Sequence, residues 1–175
     1  MAYRDSLKAL AAETEAQVLA AYAAFLAGRM NAEAFVAILA AYIAAGNVKA
    51  YSLADLSLAM SLSVELGTPV AALGVSPPAD DADRLAKAAH TLLAVDELAT
   101  ARVGRLARSE PLEAAARAYS AAMNKSPHVA GWVRNVSGGA CQLCTWWWRE
   151  GQVWPADHEM PTHKGCTCTP QPVTA

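Results

Sequence analysis

Residues 1–125 contain no cysteine and no tryptophan, and they lack a glycine-rich phosphate loop, a carboxylate pair at fixed helical spacing and a nucleophile with an evident base. Without those groups this larger part of the chain has no visible means of phosphate binding or hydrolysis, and it reads as a scaffold or interaction surface. Charge is also sparse. Asp, Glu, Lys and Arg make up 17% of the residues, the net charge is −2, and the 14 basic residues are scattered where a nucleic-acid binder would gather them. Arg4, Asp5 and Lys8 stand where a secretory signal would need an apolar run, so no signal peptide is expected. The charge-free stretch after Glu33 is interrupted at Gly46-Asn47, short of the roughly 20 residues of a membrane span. A soluble protein with no membrane partner is the expectation.

What that region does have is alanine, leucine and helical periodicity. Leu7, Leu10, Val18, Tyr22, Phe25 and Leu26 recur at helical spacing, and Gly28 supplies a stop. Asn31 stands as an N-cap before Phe35, Ile38, Leu39, Tyr42 and Ile43, with Gly46 and Asn47 as the expected end. LSLAMSLSVEL, residues 56–66, alternates with a period of two as a strand would. No partner strand is visible, and Leu53, Leu56, Met60 and Val64 also fit a helix, which is the reading adopted. Residues 68–81 form a connection punctuated by Pro and Gly. Residues 82–108 read as one long helix with Leu85, Leu92, Leu98, Val103 and Leu106 inside and Arg102, Arg105 and Arg108 in its last turns. A final helix starts at Ser109 or Pro111 and frays toward Asn124. The expected fold is mainly α: a bundle of about five helices over residues 1–125, followed by a small β module over residues 126–175. His90 and His128 read as ordinary helix and loop histidines.

Residues 126–175 hold all four cysteines and all five tryptophans. Cys141 and Cys144 form C-x-x-C, His163 and Cys166 form H-x-x-C, and Cys168 follows two residues on. A two-residue spacer lets a tight turn aim two soft donors at one metal, and two such turns complete a tetrahedron. Sulfur with imidazole excludes the hard, oxygen-loving cations and favours zinc. The candidate ligands are Cys141, Cys144, His163 and Cys166, with Cys168 as the chief substitute and His158 as the outsider. Three thiolates and a neutral imidazole leave a zinc site one charge negative. Lys164 and Arg149 are near enough in sequence to offset it.

Two other readings compete. The cysteines could form two disulfides, although Cys166 and Cys168 are too close to pair with each other and no secretion signal supports oxidation. HEMPTH has the look of the H-E-x-x-H of zinc proteases. However, His158 and His163 are five residues apart, about 140° round a helix, and Pro161 lies between them. Spare sulfur ligands would also close the open position that catalytic zinc needs, so a structural ion is favoured and no catalytic residue is nominated. The run Trp146-Trp147-Trp148 reads as a strand, with Trp147 facing away from its neighbours, serving as core or as a partner-binding patch. Gly151 then turns the chain into a second short strand at Val153 and Trp154, giving a two-stranded, zinc-ribbon-like module.

GWVRNVSGGACQLCTWWWREGQVW followed by MPTHKGCTCTP resembles the C-terminal part of the phage Mu F-like minor head proteins, the head morphogenesis family of tailed phages. The matching positions are Trp132, Arg134, Cys141, Cys144, Gly151, Pro161, His163, Cys166 and Cys168. Lys164 and Thr167 replace a proline and an arginine of the family's P-x-H-P-x-C-R-C tail. The resemblance covers about 45 of the 175 residues. It implies a minor capsid component that joins the procapsid with portal and capsid proteins as partners, is found in the virion, and passes through the host cytoplasm during assembly, with possible oligomers in the virion. A metal-dependent maturation protease or hydrolase with Glu159 as base is the alternative. DNA binding through the zinc module is a weaker one, since residues 126–175 carry only Arg134, Arg149 and Lys164 against Glu150, Asp157 and Glu159.

Overall fold

Helical periodicity becomes four long helices in a computed structural model, which describes residues 2–94, 100–136 and 138–175. They are α1 (Tyr3–Leu26), α2 (Ala32–Leu66), α3 (Asp81–Leu93) and α4 (Thr100–Lys125). A C-terminal module follows, with β1 (Val129–Asn135), the short helix α5 (Gln142–Trp148), β2 (Trp154–Pro155) and β3 (Thr169–Thr174). β1 is the central strand of an antiparallel sheet in the order β2-β1-β3. The fold is mainly α with a small C-terminal sheet, as the sequence implies.

In the bundle the element boundaries differ from expectation in three places, each for a tertiary reason. Asn31 does cap α2, its Oδ1 accepting from the Ala34 amide at 2.8 Å. The helix does not stop at Gly46-Asn47, however, but runs on to Leu66 and absorbs the segment with period-two alternation. Gly46 lies where α1, α2 and α4 meet: a Cβ there would come within 2.7 Å of Thr14 Oγ1 and 3.2 Å of Pro111 Cγ. Asn47 is fully buried and donates through Nδ2 to Asp81 Oδ2 at 2.7 Å. Two residues that look like a stop are a close approach and a buried polar contact, outweighing the roughly 1 kcal/mol that a helical glycine costs. Unbroken, α2 is long and apolar enough by length and composition to cross a membrane, yet 50% of that apolar window is buried within the protein.

The expected helix over residues 82–108 is two helices. α3 ends at Leu93 and α4 begins at Thr100, while Leu98 lies outside the described residues. Leu85 and Ala89 of α3 enter the same core cluster as Val103 and Ala107 of α4, together with Val18 and Phe35. In one straight helix Leu85 and Val103 would share a face about 27 Å apart, whereas the break lets the two stripes reach the cluster from separate helices. Arg102 and Arg105 therefore sit at the start of a helix and not at its end, and Arg108 Nη1 pairs with Glu15 Oε2 at 2.9 Å.

α4 also passes through Pro111 without restarting there. Proline inside a helix costs about 3 kcal/mol through its missing N–H and its clash with the preceding turn. Burial against the Gly46 notch, with Leu112, Ala115, Tyr119 and Met123 buried beyond it, offsets that cost.

The module is built onto the bundle. Trp132 of β1 is fully buried and shares one core cluster with Leu58, Leu112, Met123 and Met160. The run Trp146-Trp147-Trp148 is helical and not a strand, because it continues the turn that begins at Cys141. The sheet has three strands instead of two, since β3 pairs along the full length of β1. Gly46→Ala is expected to lower the unfolding free energy by about 1–2 kcal/mol, despite alanine's higher helix propensity, because the new methyl would press on Pro111 and on Thr14 Oγ1, which is hydrogen-bonded to the Leu10 carbonyl at 2.9 Å. Urea denaturation checks this, and a variant as stable as the parent would show that the three-helix contact is slack.

Candidate metal centre

The donors converge because two local turns face each other. Cys141 stands in extended conformation just before α5, and Cys144 lies one turn inside it, where the Thr145 amide donates to the Cys141 carbonyl at 3.0 Å. Across from them, the Cys166 amide donates to the His163 carbonyl at 2.9 Å, and Gly165 at φ +77° makes that turn. His163 Nε2 is 3.2 Å from Cys141 Sγ and 3.1 Å from Cys144 Sγ. Cys144 Sγ is 3.5 Å from Cys166 Sγ, well beyond the bond length of a disulfide, about 2.05 Å.

Cys168 joins the same centre. The donor atoms of Cys141, Cys144 and His163 lie within 4.8 Å of one another, and so do those of Cys144, Cys166 and Cys168. These two groups, which share Cys144, could hold a metal ion. The four residues nominated first come together, and so does the substitute, Cys168. His158 does not: its ring stacks on Trp154 at 4.6 Å between centroids, and its carbonyl accepts from Trp132 Nε1 at 2.7 Å.

The surroundings suit a cation held by sulfur. His163 Nδ1 is 3.1 Å from the Lys164 carbonyl, which can only accept, so Nδ1 carries the proton and Nε2 directs a lone pair at the two sulfurs. Burial pushes the Cys144 thiol up to about 11, and its neighbour Cys168, with burial, raises Cys166 well above the thiol range. The Cys144 amide acts the other way on exposed Cys141 and lowers it. Buried sulfurs this close resist collecting negative charge by themselves. A divalent ion removes that resistance, because coordination deprotonates a thiol outright.

The compensating charge is not where sequence proximity puts it. Lys164 Nζ binds Glu113 Oε1 at 2.9 Å, and the Arg149 guanidinium lies over the Trp154 ring at 5.7 Å. Neither faces the sulfurs. Arg134 on β1 does: it is buried, its Nη1 is 4.0 Å from Cys144 Sγ, and its Nη2 donates to the Pro161 carbonyl. The Trp147 ring lies 5.2 Å from this guanidinium and 6.2 Å from the His163 ring, so it covers the centre between them. The available signal was the two-residue spacing of Trp132 and Arg134, which places both on one face of a strand.

Comparison with protein-family models, with curated proteins and with solved structures finds no match. The geometry predicts unequal roles for the two basic residues beside the centre. Arg134→Met should lower metal affinity by about 10–100-fold, as loss of an outer-shell partner does. Lys164→Met should leave it nearly unchanged. Competition against a chromophoric chelator measures both, and parental affinity in Arg134→Met would remove the arginine from the site.

Proposed function

We propose that the C-terminal module is organised by one structural zinc ion, held by Cys141, Cys144 and His163 with Cys166 or Cys168 as the fourth ligand. The observation that carries this is the convergence of four sulfurs and one imidazole from opposite turns under a buried arginine. Zinc suits sulfur and imidazole donors, takes no part in redox chemistry, and in a shell with spare thiolates has no open position. Glu159, the base that a hydrolytic reading would need, is exposed and lines a separate depression with Arg117 and Ser120.

On this reading the chain is a minor head protein of a tailed phage. The helical bundle meets portal or capsid protein, and the zinc module keeps the C-terminal end folded against the bundle. The support is the resemblance to the Mu F-like proteins, several of whose matched positions have structural work here: Trp132 in the core, Arg134 beside Cys144, and the five residues that supply donors.

Purified protein should contain one zinc per chain. Chelation, or Cys144→Ala, should unfold the module while far-ultraviolet circular dichroism keeps its helical signal, because metal binding is folding free energy for a small module. Of the single replacements at sulfur, Cys144→Ala should be the most damaging, since both donor groups use it. Metal-free protein with an intact module would disprove the zinc assignment. The head-protein reading is tested by co-expression with the portal and capsid proteins of the same genome. Incorporation into procapsids without cleavage is expected, whereas chelator-sensitive cleavage of the capsid precursor would replace that reading with a protease.

A further inference from the structure

The donors around Cys144 outnumber what one ion needs. Four thiols, none of them joined in a disulfide, and one imidazole make five donors, whereas a tetrahedral ion takes four. With one thiol lost, four donors remain and the shell can still close. A disulfide removes two at once. Whichever pair formed it, three donors would remain, below the number that holds the ion.

Exposure decides where oxidation enters. Cys144, Cys166 and Cys168 are 2%, 7% and 6% exposed, and the Trp147 ring covers the centre between Arg134 and His163. Cys141 alone of the four is exposed. A sulfur bound to a divalent ion is a thiolate, and an accessible thiolate is the form that peroxides attack. Among the described residues, the sulfur that shares a donor group with Cys141 is that of Cys144, within 4.8 Å. Cys144 and Cys166 stand closer, at 3.5 Å, but both are shielded from an oxidant in solution. Cys141 and Cys144 lie in one turn, closed by the Thr145 amide donating to the Cys141 carbonyl at 3.0 Å. A helical turn puts such Cα atoms about 5 Å apart, inside the range a disulfide spans.

We infer that the centre is a peroxide-sensitive switch, in which Cys141 and Cys144 become a disulfide and the ion is released. This rests on the zinc assignment above. The Cys141 thiolate attacks one peroxide oxygen; the O–O bond breaks, hydroxide leaves, and the sulfur becomes a sulfenic acid. Cys144, His163, Cys166 and Cys168 still supply four donors at that stage. The Cys144 thiolate then attacks the Cys141 sulfur, the S–S bond forms, and the S–O bond breaks with loss of a second hydroxide. Two protons from solvent convert the hydroxides to water, so two thiolates have given two electrons to one peroxide. Cys144 belongs to both donor groups, and its loss leaves His163, Cys166 and Cys168. A dithiol reductant reverses the bond and restores all five donors.

One equivalent of hydrogen peroxide added to the reduced, zinc-loaded full chain tests it, with a chromophoric chelator reporting zinc and mass spectrometry reporting the bond. Trypsin cleaves after Arg134, Arg149 and Lys164, so residues 135–149 carry Cys141 and Cys144 while residues 165–175 carry Cys166 and Cys168. The parent should lose its zinc, and the 135–149 peptide should be lighter by two hydrogens with the 165–175 peptide unoxidised. Cys141→Ala should bind zinc through the remaining four donors and keep it under the same exposure. Cys168→Ala should also bind zinc and release it at least as fast as the parent. Protein with no zinc before peroxide is added refutes the zinc assignment, and the switch with it. The switch alone is overturned if the oxidised parent retains its zinc, or if a disulfide joins the two peptides. It is overturned equally by a Cys141→Ala protein that cannot hold zinc, or that loses it as fast as the parent.

Discussion

Three helices meet at a position that has no side chain. α2 crosses α1 and α4 at Gly46, where even a methyl group would press on Thr14 and Pro111. Close approach there lets α4 continue through its proline, and the second half of α4 forms the floor for Trp132 and Met160. The acidic residues just beyond the proline, or beside it, hold Lys164 next to His163: Glu113 at 2.9 Å and Glu110 at 3.9 Å. The position of the His163-Cys166 turn is thus linked, through surface ion pairs of Lys164, to α4 in the middle of the bundle.

Arg134 and the sulfur cluster solve each other's electrostatic problem. A guanidinium buried as deeply as this one is costly unless negative charge lies close by, and its Nε has no hydrogen-bond partner among the described residues. The sulfurs in turn need positive charge before they can ionise inside the protein. Arg134 meets this need from a strand ten residues before Cys144, whereas Lys164 and Arg149, nearer along the chain, are turned to other partners.

The donor pairs were legible from spacing because they are made by local turns, C-x-x-C at the start of α5 and H-x-x-C around Gly165. Helical stripes were legible too, and the capping role of Asn31 was plain. Signals whose meaning depends on a distant partner were misread. Gly46, Asn47 and Pro111 are punctuation in an isolated helix, but here each is buried against another helix. The tryptophan run has strong strand propensity, yet the turn starting at Cys141 carries it into a helix. The exclusion of His158 was equally non-local, since Trp132 and Trp154 take up its carbonyl and its ring.

β1 and β3 are neighbours in the sheet, Asn135 opposite Thr169, although all of residues 136–168 lie between them. Closing so long a loop before any ladder hydrogen bond forms is an entropic obstacle that grows slowly with length. An ion that joined the Cys141-Cys144 turn to the His163-Cys166 turn would remove most of that loop from the search, because the remaining chain between donor and strand at each end is only a few residues long. On the proposed zinc reading, the centre would therefore bear on the rate at which the last strand finds its register as well as on the stability of the finished sheet.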